Sequence, residues 1–528
     1  MKRQKLCTVI LVFVLTASFL AMSGCTEKSE KTTTIGIQAT RTDIVVYWDP
    51  SDSFSNEITT MHNVYETLLR YHPIDDEIEG VLAKDWSKSS DGLSWTFELR
   101  EGVKFHDGTE MTAEDVKFSI ERTMERGEGA SFIWNPVDNI EIVDEYTVKF
   151  NLKEPAPIDL ISASSYGSFI FSKDKADEVD DLHEWFNEHK DAGSGPYTID
   201  SYTQGEKLVL KKFDDYWQGW DSNKNKFDQV VIRNIPEATT ARQELEGGNV
   251  HVVERLPYEQ LQEAKKKDNV ELKETPSFQN MIGFFNTEKK PFDDIKFRKA
   301  VSYAVPYQDI VDEVYHGNAR QGRGPIPYGM WSHSQDLMQY EEDLDKAEQL
   351  FEESEYNPEN IDLEATFTQG NSQEEAFLTL LQASLSDFGI DMQIRSMPWT
   401  QQWDKAKSSN PTNRQDLLVM YWWPDVASPY SWFGSLYLTE DEPFFNMAYY
   451  SNQTVDNMVE EGRRLSGIDR DEAEQKYVDA QETIIDQAPT IFVVDEMYVR
   501  AKSTSLKGYD DNPAYPHVVW WYDCYLEE

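Results

Sequence analysis

Residues 83–122 read AKDWSKSSDGLSWTFELREGVKFHDGTEMTAEDVKFSIER, and this stretch decides the fold class. Leu93–Leu99 alternates apolar and polar positions and is rich in aromatics, the pattern of a half-buried strand. Asp91-Gly92 and Asp107-Gly108 flank it as turn dipeptides, glycine supplying the positive φ of a tight turn. Thr112 then precedes a run holding Asp115, Val116, Phe118, Ser119 and Ile120. A threonine cap and an acid in the first turn mark a helix start there.

The same mixture extends in both directions. Ile35–Gln38, Ile44–Trp48, Lys207–Lys212, Gln229–Asn234, Ile390–Arg395, Gln415–Met420 and Ile491–Val494 read as strands. Asn139–Ile142 and Thr147–Leu152 read as a hairpin around Asp144-Glu145. Helices are expected over Ala238–Glu246, closed by Gly247-Gly248, and over Phe297–Ala304 and Gln308–Val314, which Pro306 separates. Three more are expected over Asp343–Ser354, Glu374–Phe388 and Glu472–Asp486. No repeat of fixed period occurs. Loosely alternating strands and helices over 528 residues predict an α/β chain of several lobes, because one core does not extend that far.

Several motifs in order make the reading specific. Within the opening stretch they are Ala83, Trp86, Ser90-Asp91-Gly92-Leu93, Phe97, Leu99-Arg100, Gly102-Val103, Phe105-His106-Asp107-Gly108, Thr112-Ala113 and Asp115-Val116. Gly193-Ser194-Gly195-Pro196-Tyr197 and Tyr216-Trp217 follow, then Phe292-Asp293-Asp294, Arg298, Ala300, Gly324-Pro325-Ile326-Pro327 and Gly389-Ile390 with Trp399. From about Ile35 to Tyr525 the chain resembles the oligopeptide/dipeptide/nickel solute-binding proteins of ATP-driven importers. The resemblance implies a periplasmic-binding-protein-like α/β fold, with two lobes on a hinge and an extra inserted domain. Residues 35–62, 192–277 and 489–528 would form the discontinuous core of lobe I, 63–191 its insert, and 278–488 lobe II. It implies capture of a di- or oligopeptide between the lobes and delivery to an ABC permease with its ATPase subunits. A monomer without cofactor is expected.

The most informative short segment is Tyr421-Trp422-Trp423-Pro424-Asp425, placed on a loop after the expected strand Gln415–Met420. In peptide-binding relatives, a Trp followed three residues later by Asp sets a carboxylate on the ligand's α-ammonium. The resemblance gives that role to Trp422 and Asp425, with Trp423 beside them. A partly desolvated carboxylate is the right partner for a buried ammonium. The plainer alternative is that Asp425 caps the turn before Pro429 and both indoles are core. Trp399 matches a pocket aromatic, and Gln373 a polar residue lining side-chain pockets. Trp403, four residues after Trp399, shares its face if the piece is helical, and is read as core packing. Val419 stands where some oligopeptide binders carry an arginine for the ligand carboxylate, and Lys405 and Lys407 are the only nearby cations after Trp399. The group for that end is unassigned. A peptide held differently, an amine-bearing solute and an oligosaccharide all stay open.

The N-terminus sets the compartment. Lys2, Arg3 and Lys5 precede an apolar run from Cys7 to Met22, then Ser23, Gly24 and Cys25. This is a secretory-signal layout over 1–24, and it resembles a lipobox with Cys25 as lipid acceptor. Residues 25–34 are polar and read as a tether. The run falls short of the ~20 apolar residues of a spanning helix. A lipoprotein held outside the cell membrane is expected. Cys524 is then the one remaining cysteine, which excludes an intramolecular disulfide or a thiolate metal cluster in the mature chain.

Lys+Arg 50 against Asp+Glu 96 gives a formal net charge of −46, the wrong sign for phosphate backbones, so nucleic acid is excluded as a partner. Acid spread along the whole chain also suits high salt, where screening removes self-repulsion; the melting temperature is then expected to rise from dilute buffer to molar salt. Nucleophile elbows, H-E-x-x-H and phosphate loops are absent, which argues against an extracytoplasmic hydrolase. His183 and His189 sit six apart and read as an exposed polar helix; the 9 histidines supply no evident nickel set.

Overall fold

Two long antiparallel strands, Val270–Phe285 and Thr490–Ser503, organise the molecule. The computed structural model describes residues 33–41, 47–221, 224–515 and 518–527. The expected signal, Cys25 with its tether up to residue 32, and most of the expected strand Ile44–Trp48, lie outside the described residues; Tyr47 and Trp48 are irregular.

The long pair is the spine of an eleven-stranded sheet. On one flank Leu417–Trp422 runs antiparallel to Asn280–Phe285, followed by the parallel strands Asp362–Thr368 and Asp391–Met397. On the other flank Val252–Val253 pairs with Ala501 and Lys502, then come Ile35–Thr40, Gln229–Asn234, Lys207–Lys212 and Tyr197–Thr203. Between the two flanks the register breaks: Pro276 faces Met497, and pairing resumes at Asn280 with Asp495. Pro276 has no N–H to give the ladder, so a bulge at this point is where a strand tolerates it. The strand Thr490–Ser503 is far longer than the expected Ile491–Val494.

The opening stretch builds a separate four-stranded antiparallel sheet, in the order Ala83–Lys88, Ser94–Leu99, Thr147–Leu152, Val137–Asp144. Helix Ala113–Arg126 packs on it, started by Thr112 and Asp115 in a reciprocal cap. Phe97, Phe150 and Trp134 fill the space beneath.

The remaining motifs are structural joints. Ser194 Oγ donates to Glu66 at 2.8 Å, Tyr216 Oη at 2.8 Å and Trp217 Nε1 at 3.0 Å, so two separated motifs meet on one buried carboxylate. A Cβ on Gly193 would sit 2.0 Å from the Val64 carbonyl oxygen, and one on Gly195 2.7 Å from the same group; only glycine allows this crossing. Buried His106 is held between Asp191 and the Gly195 carbonyl. Arg298 donates to the carbonyls of Phe292, Gln487 and Ala488, closing the end of helix Arg470–Gln487.

Helix Leu182–Asn187 corrects the reading of an exposed polar helix, since Leu182 and Phe186 are buried. His183 Nδ1 lies 3.0 Å from Asp49, within the group Asp49, Asp52 and His183. Both carboxylates are already occupied: Arg122 forks onto Asp49 and Arg126 onto Asp52. His189 packs at a tilt of 53° against Trp48 instead. Cys524 is buried, and among the described residues no helix is long and apolar enough to cross a membrane.

Candidate ligand-binding cleft

A cavity of about 1330 Å³ lies along the register break, where Gln279, Glu496 and Met497 line it. Its wall takes Arg255 and Tyr258 from one side of the long strand pair, Glu496, Tyr498 and Arg500 from strand Thr490–Ser503, and Gln373, Trp399, Trp403, Tyr421, Trp422, Trp423 and Asp425 from the other side. It exceeds the ~300–1,000 Å³ of an ordinary small-ligand cleft.

Asp425 is a lining acid with a carboxylate unpartnered among the described residues. Strand Leu417–Trp422 runs out at the cavity, and Trp423-Pro424-Asp425 continues as a loop. The loop backbone is pinned: Ser164 Oγ donates to the Asp425 carbonyl at 2.7 Å, and Ser431 Oγ to the Val426 carbonyl at 2.7 Å. The Asp425 carboxylate itself has no hydrogen-bond or ion-pair partner among the described residues. Burial with nothing to offset it pushes that carboxyl up to about 7. Asp425 caps nothing; the helix Tyr430–Leu436 that follows has no side-chain cap. Such a group costs stability unless a ligand satisfies it.

The aromatic wall is a run of rings. Trp399 stacks on Trp403 at 4.9 Å and 29° because helix Trp399–Ala406 sets them one turn apart. Trp403 meets Phe445 at 5.8 Å, and Phe445 meets Trp422 edge-on at 5.5 Å. Trp422 Nε1 donates to the Ser431 carbonyl at 2.8 Å, which fixes its plane.

A family model for bacterial extracellular solute-binding proteins, family 5, matches residues 77–443. The chain belongs to this family. Among curated relatives, the probable D,D-dipeptide-binding periplasmic protein DdpA of Escherichia coli K12 is 30% identical over 471 residues, 88% of this chain and 89% of that one. The ABC transporter-associated periplasmic binding protein DppA of Helicobacter pylori, solved with the peptide STSA, superposes with a TM-score of 0.77 at 26% identity, covering 94% and 99% of the two chains. The substrate-binding protein CtaP of Listeria monocytogenes shares the fold with a TM-score of 0.82 at 23% identity, covering 94% and 100%.

In this solute-binding protein the structure brings Asp425, Trp422, Trp423, Trp399 and Gln373 to one cavity. Trp399 and Trp423 are 43% and 41% exposed on the cavity wall rather than buried as core. Two readings are corrected. Trp422 closes the strand instead of lying on the loop, because pairing with Asn280 extends the ladder past Met420. Trp403 is not core alone: it packs against the core and also lines the cavity. Val419 is fully buried. Lys405 is held by Glu364 at 2.8 Å, and neither Lys405 nor Lys407 reaches the wall.

Sequence reasoning missed the contribution of strand Thr490–Ser503. Glu496, Tyr498 and Arg500 recur at a spacing of two, which puts them on one face. That polar period was a usable signal. Glu374 was missed too: it accepts from Thr368 N at 2.8 Å and Asn371 Nδ2 at 3.0 Å, and burial still raises its carboxyl to about 7.

Proposed function

We propose that this chain is the substrate-binding lipoprotein of an ABC importer and captures peptides between its lobes. Asp425 receives the ligand's α-ammonium, the rings of Trp399, Trp403, Trp422 and Trp423 take side chains of varied shape, and Gln373 adds a polar contact. One observation carries the reading: a pinned, half-buried carboxylate faces a large aromatic cavity with no partner of its own. Lining acids Glu259, Glu313, Glu374, Asp425 and Glu496 outnumber the lining cations Arg255 and Arg500, which favours a ligand bearing positive charge. The names of the relatives point the same way, toward dipeptides and a bound peptide.

Flat indole walls bury apolar groups without reading their shape closely, so a broad peptide preference follows. Closure of the lobes excludes water and strengthens the charge pair; it is driven by the ligand's higher affinity for the closed state. The closed protein then docks on a permease whose ATPase drives release. Cys25 carries the lipid that holds the monomer at the outer face of the membrane, and Cys25→Ser is expected to free it into the medium.

Calorimetry with a peptide series tests the site. Asp425→Ala is expected to lose at least ~2 kcal/mol of affinity, about 30-fold. Unchanged affinity removes Asp425 from the site. Native mass spectrometry of protein from its host identifies the retained solute; a sugar in the cleft would replace the peptide reading.

A further inference from the structure

We infer that Arg255 is the anion anchor of this cleft, receiving the carboxylate of a ligand whose ammonium rests on Asp425, so that opposite lobes hold the two ends of one zwitterion. The inference rests on the peptide reading above and supplies the group for the ligand's other end, which neither Val419 nor the lysines of lobe II provide.

Arg255 lies two residues past the end of strand Val252–Val253, on the cavity wall. Its guanidinium has no hydrogen bond or ion pair among the described residues. Its charge nevertheless bears on the wall: burial raises the Glu496 carboxyl, and Arg255 pulls the other way. A guanidinium offers a fork of donors suited to a carboxylate, and here the whole fork is unused.

Two deeply buried groups beside it repeat the pattern. Tyr498 Oη and Arg500 Nη2 both lack hydrogen-bond partners, although each residue is only 3% exposed. The other nitrogens of Arg500 are occupied, Nη1 by the Glu254 carbonyl at 2.7 Å and Nε by Asp511 at 3.3 Å, so the side chain is fixed with one edge to spare. Both residues lie on strand Thr490–Ser503, two apart and on one face. Orphaned donors at depth are rare unless something else satisfies them. Arg255 and Arg500 are the only lysines or arginines on the described wall.

The arrangement also links binding to closure. A ligand held at one end gains nothing from the other lobe, whereas one paired at both ends binds the closed form better. Glu496 is the alternative partner for Arg255, and the experiment separates the two.

Calorimetry at about pH 8, where Asp425 is ionised, uses di- to pentaalanine, each as free acid and as C-terminal amide. Wild type is expected to bind the best free acid at least about tenfold tighter than its amide. Arg255→Gln, a change at an exposed residue without partners, is expected to bring the acid down to the amide's level and leave the amide unmoved. Tyr498→Phe is expected to lower the acid by a smaller factor, with the amide again unmoved. Asp425→Ala should weaken acid and amide alike. The proposal is overturned if wild type does not distinguish acid from amide, or if Arg255→Gln weakens both equally, which would make Arg255 a counter-ion of Glu496. Should no member of either series bind wild type, the peptide reading falls and takes the anchor with it. If Asp425→Ala changes nothing while Arg255→Gln still erases the acid preference, the anchor stands and the ammonium site falls.

Discussion

Glu66 and Asp425 are both carboxylates withdrawn from bulk water, and they have opposite surroundings. Glu66 accepts from Ser194, Tyr216 and Trp217, three donors supplied by two stretches of chain brought together by folding. Asp425 accepts from none, although its backbone is held as firmly. Burial raises both carboxyls; at Glu66 the three donors offset part of that, and at Asp425 nothing does. A buried acid whose lone pairs are filled joins pieces of a fold. One whose lone pairs are empty beside a cavity is set for a solute.

The largest effect is expected at Glu66. Glu66→Ala strands three buried donors and should destabilise the protein by ~3–5 kcal/mol. Chemical denaturation reads the loss. Peptide affinity of the folded fraction should hold, because Glu66 is not on the cavity wall. A variant that stays stable but loses ligand would reverse the assignment of the two acids.

At Asp425 the order is inverted, and pH shows it. An unfolded aspartate titrates near ~4, and the folded carboxyl at about 7. The folded state therefore holds its proton more tightly. Relative stability is greatest below ~4 and is lost as pH rises through about 7. Asp425→Asn should leave the melting temperature unchanged near pH ~4 and stabilise the ligand-free protein by on the order of 2 kcal/mol at pH ~8. Affinity runs the other way. An ammonium needs the ionised form, so wild-type affinity should rise up to about pH 7 and level off. Below that it should fall about tenfold per unit. Tyr166 and Tyr515 are the titratable groups facing Asp425, and burial keeps both hydroxyls neutral throughout this range. An affinity flat from pH ~5 to ~8 would mean that no charge pair forms there.

How far the sequence reveals these sites depends on where their partners come from. The strand Lys207–Lys212 and helix Ala238–Glu246 were legible to the residue, because their apolar period and flanking turns are local. Strand Val270–Phe285 was not. Its first half is mostly polar, Pro276 interrupts it, and its second half is buried on both faces, so no single period runs through it. The pairing with Thr490–Ser503 that holds it together is a distant one. The acidic end of the cleft was legible because Trp422, Trp423 and Asp425 sit within one short segment. Arg255, Tyr498 and Arg500 come from two remote stretches whose proximity only the sheet order provides.

The aromatic run gives the smallest effects and the finest test, because its members grade from ligand toward core. Trp399 stands at the exposed end and stacks on one neighbour, Trp403. Trp399→Ala should cost about 1 kcal/mol of peptide affinity and leave stability within ~0.5 kcal/mol, since an exposed ring gives up little on truncation. Trp422 stands at the other end, with its Nε1 bonded to Ser431 and its ring packed against the core. Trp422→Ala should lower affinity and stability together, because the Ser431 carbonyl loses its donor and a void opens beside the Asp425 loop. The ratio of lost affinity to lost stability should therefore fall from Trp399 through Trp403 to Trp422. Were Trp399→Ala to unfold the protein as readily as Trp422→Ala, the rings would be core throughout, and Asp425 would face packing rather than a solute.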